Sequence, residues 1–273
     1  MAAEGNKKLN QCVAYLTKVE IPVLKQTSRK LSTLIENVDH LDARSLAHVI
    51  KSDPLMVVKL IRYLQQNRIR QQAHEIMEVE QILIMLGLDN ALKNVSAKPH
   101  VEDLLVKEHR EALVYLLKVT HRAKVASAYA FDWAVRLHDL HYEEVRIAAL
   151  LHDLAEILMW CFAPKAMLQI KSIQIQNKTI RSQHIQEKVL GFSLYALQHA
   201  LATQWRLPEL LITLMNDSHN DQQRVRNVFL AVNLARHAAN GWDDAALPDD
   251  YEQIGLLLHL KPEEVMTIIG ANK

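Results

Sequence analysis

The apolar residues of this chain recur at helical spacing, and nowhere do they alternate in the two-residue rhythm of a half-buried strand. Between Val23 and Ile35, Leu24, Thr27, Leu31, Leu34 and Ile35 fall on one helical face. Leu46, Val49 and Ile50 form a short stripe that ends near Lys51. Asp53 before Pro54 reads as an N-cap ahead of a first-turn proline, and Leu55, Val58, Leu60, Ile61 and Leu64 carry that helix onward. "MEVEQILIMLGLDNALKNV" gives a third stripe, stopped by Gly87 where a left-handed C-cap would sit. Six glycines and seven prolines are too few for a sheet protein with many tight turns. The pattern predicts an all-α protein without a fixed-period repeat.

Around "SAKPHVED" (Ser96–Asp103) the periodicity lapses at Pro99, which reads as a joint between two lobes. His109–His138 is predicted as one long helix or two in tandem. Helices are also predicted over Glu143–Phe162, Pro208–Ser218, Gln222–Ala239 and Asp250–Leu258, with "GWDDAALPDD" (Gly241–Asp250) as a loop.

Charge and motif content exclude several function classes. With 32 basic and 31 acidic residues, the chain has no overall attraction to nucleic acid or to an anionic membrane. The basic clusters at Asn67–Gln72 and at Arg224 and Arg226 are short and lack aromatic interleaving, as expected of solvated helix faces. The polar N-terminus has no apolar stretch for a secretory signal, and no run of apolar residues is long enough to span a membrane. Cys12 and Cys161 lack CxxC spacing and read as reduced thiols, so a cytoplasmic location is expected. There is no GxxxxGK[ST], GxGxxG, GxSxG or HExxH. The four tryptophans, at 133, 160, 205 and 242, are expected to be packing residues.

One stretch does raise a chemical question. "AALLHDLAEILMW" (Ala148–Trp160) places His152, Asp153 and Glu156 in an otherwise apolar helix. Ionisable side chains are rarely buried unless paired or bound to a metal. Adjacent helical residues point about 100° apart, so one cation could reach both His152 and Asp153 only with ligands from other helices. His121, in "LLKVTHRAKVASAYA", is a candidate partner among Leu117, Val125 and Ala128. The alternative is a hydrogen-bonded core histidine held by Asp153.

A histidine on one helix, followed about thirty residues later by "ALLHDLAE", resembles the HD superfamily of metal-dependent phosphohydrolases. "IPVLKQTSRKL", "LAHVIKSDPLMVVKLIRYLQQN", "VEQILIMLGLDNALKNV", "HRAKVASAYA", "LLHDLAEILM" and "ATQWRLPELLITLM" follow in the order and spacing of an HDOD domain, the HD-related output domain of bacterial signalling proteins. The resemblance implies a multi-helix bundle in which an N-terminal helical lobe packs on an HD-like C-terminal lobe. It divides the chain into a helical extension (1–19), an HDOD domain (20–220, lobes about 20–100 and 101–220), and C-terminal helices (221–273) completing the HD-like lobe. In catalytic relatives a histidine, the HD pair and a later aspartate hold the first metal. His121, His152 and Asp153 match the first three, whereas the last falls on Asn233. A neutral amide removes about one negative charge, worth several kcal/mol of cation affinity in a low-dielectric pocket. Where catalytic relatives often have Gly-Lys, this chain has Ala155-Glu156.

The resemblance therefore implies a bacterial regulatory module without catalysis, acting through a partner protein in trans or a small ligand. His121, His152, Asp153 and Asn233 would form a vestigial metal site and a buried polar network, and no cofactor is expected. The second reading is a metal-dependent phosphohydrolase acting on a nucleotide or other phosphoester. It would bind Mn, Fe, Ni or Zn through His121, His152 and Asp153, with Asp217 or His219 replacing the missing aspartate and Glu156 a further candidate. The sequence names neither the partner nor the oligomeric state.

Overall fold

The apolar stripes close into helices throughout the computed structural model, which describes residues 2–36, 41–67, 77–177 and 180–271 and holds no strand among them. The first helices are α1 (Ala2–Lys18), α2 (Lys25–Glu36), α3 (Ala43–Ile50), α4 (Pro54–Gln66), α5 (Val79–Leu86), α6 (Leu88–Asn94) and α7 (Val101–Leu105). They are followed by α8 (Arg110–Arg136), α9 (Tyr142–Leu151), α10 (Leu154–Phe162), α11 (Pro164–Gln176), α12 (Ser182–Leu190) and α13 (Leu194–Gln204). The last are α14 (Glu209–Leu214), α15 (Gln223–His237), α16 (Leu247–Leu258) and α17 (Pro262–Ile269). Most of the Asn67–Gln72 cluster lies outside the described residues.

Two compact units divide the chain, and they interleave. The first comprises Met1–Thr120 and Asp153–Leu207, the second His121–His152 and Pro208–Lys273. This differs from the lobes expected at about 20–100 and 101–220. The lapse at Pro99 is not the boundary, because the segment is tied back inside the first unit. Val23 N–H donates to the Pro99 carbonyl at 2.9 Å, and Val101 N–H donates to the Val23 carbonyl at 3.0 Å. The chain instead changes unit within α8, a single helix of 27 residues. It returns at the His152-Asp153 step.

In the first unit, α1 packs on α13, and α10 packs on α7, α11 and α13, which explains why these distant segments belong together. Buried residues occupy most of α4, as expected of a helix apolar nearly all round. Its N-cap is Asp53, fully buried, which accepts from Leu55 N–H at 2.9 Å and Met56 N–H at 3.4 Å through Oδ1. The other oxygen accepts from Leu24 N–H at 2.9 Å, joining the start of α4 to the segment before α2. Gly87 has φ 77° and closes α5 as expected, and α6 starts immediately after it.

In the second unit, α15 packs on α9, α14 and α16. Asn227 Nδ2 donates to the Ala130 carbonyl of α8 at 3.2 Å, and Ser127 Oγ of α8 donates to the Arg146 carbonyl of α9 at 3.0 Å. Trp133 is fully buried and stacks on Tyr129. Arg224 does not simply face solvent: its Nε donates to Asp139 Oδ2 at 2.7 Å. Trp242, in contrast to the other three tryptophans, is 39% exposed and is not a core residue. The Gly241–Asp250 loop is shorter than expected. Pro248 in the first turn and the acidic Asp249 and Asp250 start α16 at Leu247.

Candidate functional site

The apolar run Glu143–Phe162 is not one uninterrupted helix. Hydrogen bonding lapses at His152-Asp153, between α9 and α10, while both backbones remain close to helical (φ −57°, ψ −40° and φ −98°, ψ 23°). A side chain explains the lapse. Ala155 N–H, which in a continuous helix would donate four residues back, donates to Gln198 Oε1 at 2.7 Å. Gln198 is buried on α13, and Asp153 makes no side-chain cap of its own, so the glutamine satisfies a first-turn donor of α10.

The break presents His152 to a second element. Its Nε2 lies 2.9 Å from Asp217 Oδ1, with the imidazole 12% exposed and the carboxylate 38%. A carboxylate can only accept, so Nε2–H is the donor. Asp217 opens a 3₁₀ turn, Asp217–His219, that packs on α15. Asn216 caps this turn, accepting from Ser218 N–H at 3.1 Å and from the Ser218 hydroxyl at 2.6 Å. The expected helix Pro208–Ser218 therefore ends at Leu214, and the remaining residues form the turn that carries the carboxylate.

The other expected residues are placed differently. His121 is exposed, so the buried network of His121, His152 and Asp153 is not formed. The reason is the register of α8. Its buried stripe runs through Leu116, Val119, Ala123, Ala126, Ala130 and Trp133, at alternating steps of three and four. His121 lies two residues from both Val119 and Ala123, on the opposite face, beside Leu117, which is 41% exposed. Asp153 is half-buried and Asn233 is half-buried on α15. Glu156 accepts from Trp160 Nε1 at 3.4 Å, a helical i to i+4 contact. His219 is exposed, with Nδ1 3.3 Å from the Ser218 hydroxyl.

A structural or catalytic zinc takes three or four protein donors. Among the described residues, no three His, Cys, Asp or Glu side chains come together to share one ion. His152 and Asp217 supply a half-buried imidazole–carboxylate pair that orients one ring. Sequence reasoning ranked Asp217 below Asp153, and it missed Gln198, which carries no local signal because its partner is 43 residues away.

No helix among the described residues is by itself long and apolar enough to cross a membrane. No curated protein matches the chain. Among solved structures, the MmoQ response regulator of Methylococcus capsulatus is similar at 16% identity and TM-score 0.65, over 92% of this chain and 98% of that one. A virulence factor of Campylobacter jejuni is similar at 17% identity and TM-score 0.65, over 96% of this chain and 92% of that one. An HDOD domain protein of unknown function from Geobacter sulfurreducens reaches TM-score 0.50 at 17% identity, over 97% and 94%. At such identities these likenesses speak for the fold. The HDOD domain family model matches residues 21–221, most of the chain, and with the all-helical architecture it establishes that the protein belongs to the HDOD family.

Proposed function

We propose that the protein is a non-catalytic bacterial regulatory module, cytoplasmic, that acts by binding a partner protein or small ligand and has lost the HD metal centre. The observation that carries this reading is the pairing of His152 with Asp217 while His121 faces solvent from the far side of α8. Asn233, a neutral amide at the position implied for the last ligand, agrees with it. Without a cation there is no activated water and no Lewis acid for a phosphate oxygen. The name of the fold relative from Methylococcus capsulatus, a response regulator, is consistent with a role in relaying a signal.

One observation favours the second reading, metal-dependent hydrolysis of a nucleotide or other phosphoester. Asp217, a candidate replacement for the missing aspartate, is bonded to His152. Elemental analysis of the purified chain, paired with hydrolysis of bis(p-nitrophenyl) phosphate in the presence of Mn, Fe, Ni or Zn, decides between them. The regulatory reading expects substoichiometric metal and no turnover beyond that of His152→Ala. Stoichiometric metal, lost together with hydrolysis in His152→Ala, overturns it.

A further inference from the structure

We propose that the trough between α2 and α3 is a docking site for an acidic amphipathic helix of a partner protein. This deepens the partner-binding part of the reading above and rests on it. The metal and hydrolysis assays address the other part, so each can fail alone.

The trough has a volume of about 680 Å³. Arg29 and Lys30 of α2 and Arg44 and His48 of α3 form its rim, Leu34 and Val49 its floor, and among the described residues no carboxylate lines it. Asp42, two residues before Arg44, caps α3, accepting from Ser45 N–H at 2.6 Å, and its charge acts on Arg44 alone among the rim residues. Three cationic side chains, Arg29, Lys30 and Arg44, with the His48 imidazole beside them, surround an apolar floor and make a local excess of positive charge in a chain whose overall charge is +1.

All four rim residues are exposed. Small-molecule pockets bury 70–90% of a drug-sized ligand, roughly, and an open trough with exposed walls does not. A groove between two packed helices instead accepts a third, whose apolar edge contacts the floor while its flanking side chains meet the rim. The rim selects carboxylates on those flanks, and each arginine can engage one through two parallel hydrogen bonds.

The test uses the full chain and a fluorescein-labelled peptide of about 15 residues, with Leu at i, i+4 and i+7 and Glu on the flanks. A control peptide carries Gln for every Glu. Fluorescence anisotropy should show binding of the acidic peptide that weakens with salt, and at least tenfold weaker binding of the Gln peptide. Two variants separate charge from shape: Arg29→Glu with Arg44→Glu reverses the rim, and Thr33→Trp fills the trough while keeping its charge. Both should lose at least tenfold in affinity with unchanged melting temperature, because the replaced residues are exposed. The proposal is overturned by equal binding of the two peptides, by no binding of the acidic one, or by wild-type affinity in both variants. Competition by inorganic pyrophosphate at concentrations below those of the peptide also overturns it, in favour of a small-anion site.

Discussion

Replacing Asp53 with asparagine changes the side chain by one atom and should destabilise the first unit by about 2 kcal/mol. The carboxylate is fully buried and accepts three backbone N–H groups: Leu24 on Oδ2, and Leu55 and Met56 on Oδ1. An asparagine has one acceptor oxygen. With that oxygen toward Leu55 and Met56, the amide NH₂ confronts Leu24 N–H, and two donors are buried against each other. Each buried group left without a partner costs about 1–3 kcal/mol. Burial pushes the Asp53 carboxyl above its ordinary range, against the opposing effect of hydrogen bonds from Leu24 N–H, the Thr27 hydroxyl and the N–H groups of Leu55 and Met56. Asparagine escapes that desolvation, which lowers the net loss towards 2 kcal/mol. Asp53→Ala removes the cap and both acceptor oxygens and should cost about 3–5 kcal/mol. Urea unfolding at pH 7, followed by circular dichroism and by tryptophan fluorescence, measures both losses and tests whether the two units unfold together. If Asp53→Asn lies within about 0.5 kcal/mol of the parent, the acceptor argument is wrong.

Asp217→Ala removes the acceptor of the His152 proton. Asp217 is more than one-third exposed, so the loss should be about 1 kcal/mol or less, but hydrogen exchange at Asp217–His219 should accelerate; unchanged exchange would refute the pairing. Gln198→Leu leaves Ala155 N–H buried without its acceptor, at about 1–3 kcal/mol, and its amide protection measured by NMR should fall selectively. Arg224→Gln tests pH linkage. Burial raises the Asp139 carboxyl, but the Arg224 guanidinium and His141 N–H outweigh it and hold it below the usual carboxylate range. A lowered folded-state pKa gives stability that is present above the unfolded value of about 3.9 and is lost as pH falls through the folded value. The parent should therefore exceed Arg224→Gln by about 1 kcal/mol at neutral pH, and the two acid-unfolding curves should converge as pH falls through the lowered folded-state value.

Local signals were readable where the physics is local. Asp53-Pro54 announced the start of α4, whereas the buried face of α8, from Leu116 to Trp133, emerged only from the packing. The placement of His121 followed from that same stripe. Leu117 and Val125, four residues either side of it, share its face, and reading them as core put the histidine inside. The break at His152-Asp153 was not legible, because apolar residues continue through it and its cause is a glutamine from another helix. The His152–Asp217 bond spans 65 residues. A sequence can nominate both partners, but only packing brings them together.

The interleaved path of the chain has a consequence during synthesis. The first unit requires Asp153–Leu207, so it cannot be completed when Thr120 leaves the ribosome but only after 87 further residues. At 5–20 residues per second that interval lasts roughly 4–17 s. Throughout it the nascent surfaces of α1 and α7 await α13 and α10, the helices that will cover them. A chaperone that shields apolar surface should therefore engage this polypeptide late in translation, and ribosome profiling of such a chaperone would locate the window.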